Sequence, residues 1–118
     1  MKRVLIADDA QFMRYSLRII LEKNGFEVIG EAVDGIDAVR KFKVLEPDIV
    51  TMDITMPEMN GIDAIKEIKK IKKDANIIVI SALGSTASVY DAVNAGACGF
   101  IVKPFKENDV LKNMKNFR

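Results

Sequence analysis

The chain has 118 residues, 49% of them apolar and 30% charged, with a formal net charge of +1. That length suits a single domain, residues 1–118, with a core that needs no staples, and the balance of apolar to charged residues excludes a disordered chain. A charge near zero gives no bulk pull toward nucleic acid or a membrane, and the absence of histidine excludes imidazole catalysis and histidine-ligated zinc.

In chain order, short β-branched runs alternate with helical patterns. "RVLIA" (3–7) reads as the first strand, followed by a helix with Met13, Leu17, Ile20 and Leu21 on one face and Arg14, Arg18 and Glu22 on the other. Gly25 follows this helix where a left-handed residue is wanted. "EVIGEA" (27–32) is the second strand, and Ala38, Val39, Phe42 and Leu45 form the next helical face, ended by Pro47-Asp48. "DIVTMD" (48–53) is the third strand, with Ile62, Ile65, Ile68 and Ile71 on the helix after it. "NIIVIS" (76–81) is the fourth, with Val89, Ala92 and Val93 as a weaker helical stripe before Gly96. "GFIVK" (99–103) is the fifth, and Val110, Leu111 and Met114 close the series. The first, third and fourth strands are nearly continuous apolar runs, as expected where both faces are covered. The repeating pattern predicts an α/β fold, a doubly wound five-stranded parallel sheet with five helices on its two faces. Cys98 is expected to pack as a small buried residue at the start of the fifth strand, and being alone it cannot form an internal disulfide. No run is long and apolar enough to span a bilayer, and "MKRVLIADDA" turns acidic too early for a signal peptide; a cytoplasmic protein is expected.

Ligands of such sheets sit beyond the carboxyl ends of the strands. There this sequence places Asp8-Asp9, Asp53, Ser81-Ala82 and Lys103-Pro104, so every polar strand ending falls on one edge. Three converging carboxylates repel: at about 5 Å and an effective dielectric near 20 each pair costs roughly 3 kcal/mol. A bound cation relieves this, and an all-oxygen donor set favours Mg²⁺. With Lys103 opposite, the group makes a cradle for a phosphoryl group in which Asp53 is the nucleophile. The basic stretch "KEIKKIKKD" (66–74) reads as a solvated helix face, not a nucleic-acid patch.

Four motifs in order, "DD" after the first strand, "DITMPEMNG", "SA" and "KPF", resemble the response-regulator receiver domain over essentially the whole chain, and within it the single-domain chemotaxis receivers. The resemblance implies a flavodoxin-like strand order of 2-1-3-4-5. It implies that Asp53 is the phosphoacceptor, Asp9 a direct Mg²⁺ ligand, Asp8 a second acid acting through water, and Thr55 a ligand through its backbone carbonyl. Ser81 and Lys103 would bind the phosphoryl oxygens, with Lys103-Pro104 in the cis form. Phe100 stands where many chemotaxis receivers carry tyrosine, and Phe100, Tyr90 and Lys106 would lie on the switch surface that a partner reads. The implied partners are a sensor histidine kinase as phosphodonor, a flagellar motor switch protein or another output protein, and a phosphatase. Nucleic acid and membrane are not expected as partners, and the chain is expected to be a monomer.

On this reading the protein is no enzyme toward other molecules, but a phosphoacceptor that supports its own phosphorylation and dephosphorylation. Rivals within the family are a phosphorelay intermediate and a receiver cut from a longer transcription regulator. A Mg²⁺-dependent aspartate-nucleophile phosphatase would carry a second acid two residues after Asp53, where Thr55 stands. A flavin carrier would want a phosphate loop in place of "ADDAQF", whose two negative charges repel phosphate.

Overall fold

In the computed structural model, which describes residues 1–117, five strands and five α-helices alternate: β1 (Lys2–Ala7), α1 (Gln11–Lys23), β2 (Phe26–Ala32), α2 (Gly35–Leu45), β3 (Ile49–Met52), α3 (Gly61–Ile71), β4 (Asn76–Ser81), α4 (Thr86–Ala95), β5 (Gly99–Val102) and α5 (Glu107–Met114). All strand pairs are parallel, in the order β2-β1-β3-β4-β5. The expected order and element count therefore hold. Strand ends shift by a residue: Asp48 and Asp53 flank β3, and Lys103 lies just past β5.

Alternation of side chains across the sheet makes two cores. Leu5, Ala7, Val50, Met52, Ile77 and Val79 face α2, α3 and α4, meeting Phe42, Ile65, Ile68 and Ala92. Val4, Ile6, Ile49, Ile78, Ile80 and Ile101 face α1 and α5, meeting Leu17, Leu21, Val110 and Met114. Every residue of β3 is buried, and so are Val4–Ala7 of β1 and Ile77–Ser81 of β4, which explains their apolar runs. Each fully buried Leu or Ile contributes on the order of 2 kcal/mol.

The β1–β2 pairing slips by one residue: Val4 faces Val28, but Leu5 faces Gly30, leaving Ile29 as a bulge. Phe26 and Val28 consequently pack on the α1 side while Ala32 packs on the opposite side. Glu31, paired with Ile6, is turned toward α1.

Several helix ends follow local chemistry. Asp34, Asn60 and Ser85 cap α2, α3 and α4 through their side chains, and Gly25 and Gly96 take the left-handed conformation expected of them. Three expected core positions are corrected. Ile71 is half exposed because it is the last residue of α3, one turn past the buried Ile68. Val93 stands on the outer flank of α4 beside Tyr90, the inner positions being Ala92 and Ala95. Cys98 is exposed; its backbone N–H, not its thiol, is anchored, donating to the Ile77 carbonyl at 2.8 Å. Among the described residues no helix is long and apolar enough to cross a membrane.

Candidate functional site

Each site residue next to a strand is held by one backbone bond that continues the ladder. The Asp8 N–H donates to Ala32 at 3.0 Å, that of Asp53 to Ala7 at 2.9 Å, and that of Lys103 to Ser81 at 2.8 Å. The side chains that follow the strands thus inherit the rigidity of the sheet. The Lys103-Pro104 peptide is cis, as the resemblance implied.

The side chains converge as expected. One carboxylate oxygen from each of Asp8, Asp9 and Asp53 lies within 4.8 Å of the others. Asp8 and Asp53 are buried and Asp9 is exposed, so the cluster has a floor and an open side. Lys103 Nζ donates to Asp8 Oδ2 at 2.7 Å and to Asp53 Oδ2 at 3.3 Å. Its ammonium therefore bridges the two buried acids and stands closer to Asp8 than to the acceptor candidate. Burial by itself would depress the Lys103 pKa, but the hydrogen bond to Asp8 and the charges of Asp53 and Asp8 outweigh it and hold the pKa above 10.5. Asp9, by contrast, has no ion-pair partner among the described residues, so a carboxylate at the open side is free for a cation. Three hard oxygen donors at this spacing suit Mg²⁺ chemistry.

Asp53 Oδ1 accepts from both the Thr55 N–H and the Thr55 hydroxyl, each at 3.1 Å. Ser81 is fully buried, and its hydroxyl oxygen accepts from the Leu83 N–H at 3.0 Å, tying it to the loop before α4. Two glycines let the loop between β3 and α3 close. A Cβ on Gly61 would fall 2.2 Å from the Asp53 carbonyl oxygen, and one on Gly35 would fall 1.9 Å from that of Met59. Glu58 holds the turn in a left-handed conformation, φ 67°. Phe100 packs half-buried against the α2–α4 core; Tyr90 and Lys106 are exposed, Lys106 at the start of α5.

Sequence reading missed one set of contacts beside the site. Arg14, expected on the outer face of α1, has a side chain only 13% exposed. Its Nε donates to Glu31 Oε1 at 2.8 Å and its Nη1 to the Asp8 carbonyl at 2.7 Å. Arg18 donates to Glu31 Oε2 through Nε and Nη2, at 3.0 and 2.8 Å. Burial pushes the Glu31 carboxyl up, but the two guanidinium groups overcome this and hold its pKa below 4.5. The available signal was an acid, Glu31, deep in a mostly apolar strand, the second of the two in "EVIGEA".

A parallel five-stranded sheet with an acid cluster and a lysine beyond its carboxyl edge defines a phosphoacceptor of the receiver class. The chain belongs to the response regulator receiver domain family, which matches residues 4–115. Receiver domains are phosphoacceptors in signalling, and phosphorylation of an aspartate with Mg²⁺ is their general mechanism. The chain is 63% identical over 111 residues to the chemotaxis protein CheY of Thermotoga maritima, covering 94% of this chain and 92% of that one. It is 58% identical over 110 residues to CheY of Bacillus subtilis, covering 93% and 92%. Among solved structures it resembles the CheX-CheY-BeF3-Mg²⁺ complex from Borrelia burgdorferi, with a TM-score of 0.93 and 43% identity over 99% of this chain and 90% of that one.

Proposed function

We propose that the protein is a chemotaxis response regulator whose Asp53 takes a phosphoryl group from a histidine kinase, or from a small acyl phosphate, and thereby changes which partner it binds. The observation that carries this reading is the ammonium of Lys103 bridging Asp8 and Asp53, with Asp9 at the open side of the same cluster. An Asp53 oxygen attacks phosphorus; the P–N bond to the donor imidazole breaks, and its electron pair stays on that ring, which later takes up a proton. Lys103 is placed to move its hydrogen bond from Asp53 to a phosphoryl oxygen, balancing charge that grows toward two negative units. Asp9, Asp53 and the Thr55 carbonyl would hold Mg²⁺ directly and Asp8 through water; the ion would supply charge neutralisation at the transferring oxygens. Hydrolysis returns Asp53 to its carboxylate, and an external phosphatase would hasten it.

The output step uses what lies next to Ser81. Its hydroxyl would leave the Leu83 N–H for a phosphoryl oxygen, moving the loop before α4. Phe100 would then settle further inward, altering the surface that carries Tyr90 and Lys106. Two relatives named as chemotaxis proteins, each aligned over more than nine-tenths of its length, support a role in chemotaxis, with the flagellar motor switch as the output. The Mg²⁺ and BeF3 in the Borrelia relative's complex support the cation and a phosphoryl-sized group, and its CheX partner supports contact with a second protein. A monomer acting in the cytoplasm fits this role.

The test is incubation with acetyl phosphate and Mg²⁺, followed by intact-mass measurement. Wild type should gain one phosphoryl group and Asp53→Asn none; a labelled Asn variant would remove Asp53 from its role. Binding of the phosphorylated protein to a motor switch protein should tighten. If instead it passes the group to a histidine phosphotransfer protein with no gain in switch affinity, the relay function replaces chemotaxis.

A further inference from the structure

We infer that Arg14 and Glu31 form a clamp that positions the Asp8-Asp9 turn for a divalent cation, Arg14 acting through the main-chain carbonyl of Asp8. The inference rests on the reading of Asp8, Asp9 and Asp53 as a cation site. The turn between β1 and α1 has few other restraints. Ala10, at the N-cap, has no side chain to cap α1, and the first turn of α1 carries no acid. What fixes Asp8 is a set of four hydrogen bonds. Its N–H donates to Ala32, its Oδ1 accepts from Ala10 at 2.9 Å, and its Oδ2 accepts from Lys103. The fourth is the Arg14 bond to its carbonyl.

Arg14 and Asp8 N–H reach the same stretch of β2. Arg14 Nε meets the side chain of Glu31, and the Asp8 amide meets the next carbonyl, that of Ala32. The loop of contacts Asp8–Ala32–Glu31–Arg14–Asp8 is closed, so the turn cannot rotate about the end of β1 without breaking one of them. Glu31 is itself fixed: Arg18 takes its other oxygen, and Lys41 Nζ donates to its main-chain carbonyl.

The clamp also has an electrostatic side. A free guanidinium next to Asp8-Asp9 would pair with the exposed Asp9 carboxylate and compete with a cation. Glu31 engages both Arg14 and Arg18, leaving Asp9 without an ion-pair partner among the described residues. Groups that orient a ligand-bearing residue from behind typically change metal affinity 10- to 100-fold when removed.

The test is calorimetric Mg²⁺ titration, with urea unfolding in EDTA run on the same samples. Arg14→Ala should weaken Mg²⁺ binding about tenfold, while Arg18→Ala, which touches Glu31 but not Asp8, should stay within about twofold. Arg14→Lys, which lacks the separate Nε and Nη1 donors that meet Glu31 and the Asp8 carbonyl, should lose several-fold and covers the case in which Arg14→Ala fails to fold. In acetyl phosphate assays the Arg14 variants should need more Mg²⁺ for half-maximal phosphorylation yet reach the wild-type rate at saturation. Arg14 variants that bind Mg²⁺ as wild type does, or an Arg18→Ala loss equal to theirs, overturn the clamp. If wild type itself takes up no Mg²⁺, the cation-site reading falls first.

Discussion

Replacing Lys103 by methionine keeps an unbranched side chain one atom shorter and removes its charge. In buffer without divalent ions, Asp8 and Asp53 then face each other with oxygens no more than 4.8 Å apart, both almost fully buried. At an effective dielectric near 20 that repulsion is about 3.5 kcal/mol, in line with the ~3–5 kcal/mol cost of removing one partner of a buried pair. The ammonium no longer has to be desolvated, which offsets a part, so the expected loss is about 3 kcal/mol, or ~12 °C in Tm for a chain of this size. Added Mg²⁺ should shrink the gap. With no competing ammonium the variant should bind the ion about tenfold more tightly, recovering ~1.4 kcal/mol at saturation. Thermal melts in EDTA and across a Mg²⁺ series measure both effects. A variant as stable as wild type in EDTA, or a gap that Mg²⁺ leaves unchanged, would refute the view that Lys103 is the resident counter-charge.

Gly61→Ala places a methyl group 2.2 Å from the Asp53 carbonyl oxygen and 2.6 Å from Ile54 Cα, both backbone atoms; despite the better helix propensity of alanine, urea unfolding should show a loss of ~2 kcal/mol, and phosphorylation should slow. Glu31→Gln should destabilise the protein at neutral pH, by an amount that shrinks in acid. The carboxyl pKa of Glu31 is depressed on folding, so its contribution is present above pH 4.5 and is lost as pH falls through the folded value; chemical denaturation at stepped pH reads this, and a constant difference would contradict it. Asn60→Ala removes the cap bond that its side-chain Oδ1 accepts from the Asp63 N–H at 3.0 Å and should cost about 1 kcal/mol by the same measurement.

The strands and the acid cluster were legible because both rest on local rules. Continuous apolar runs announced β1, β3 and β4, and polar residues at their ends fell on one edge whatever the strand order. The strand order itself came from resemblance, since alternation of strand and helix fixes parallel pairing but not neighbours. The Arg14–Glu31 contact was illegible for a physical reason. Helical periodicity assigned Arg14 to the outer face, yet a long side chain at the flank can fold back over the sheet edge and bury its stem. Cys98 failed similarly: a small apolar residue before a strand reads as core, but here the turn after Gly96 is secured by its peptide group. The pairing of Lys103 with Asp8 at shorter range than with Asp53 was also beyond pattern, because it depends on side-chain reach across the sheet.

The extra residue in β2 has a reach greater than its size. Ahead of Ile29 the even-numbered residues of that strand look toward α1; past it the odd-numbered ones do, Glu31 among them. Regular alternation of the same residues, with Ile29 taken into the ladder, would swing this acid to the far side, where α1's arginines cannot follow. An outer strand that contributes no ligand thus sets, by parity alone, whether the two arginines of α1 beside the acid cluster are quenched or loose.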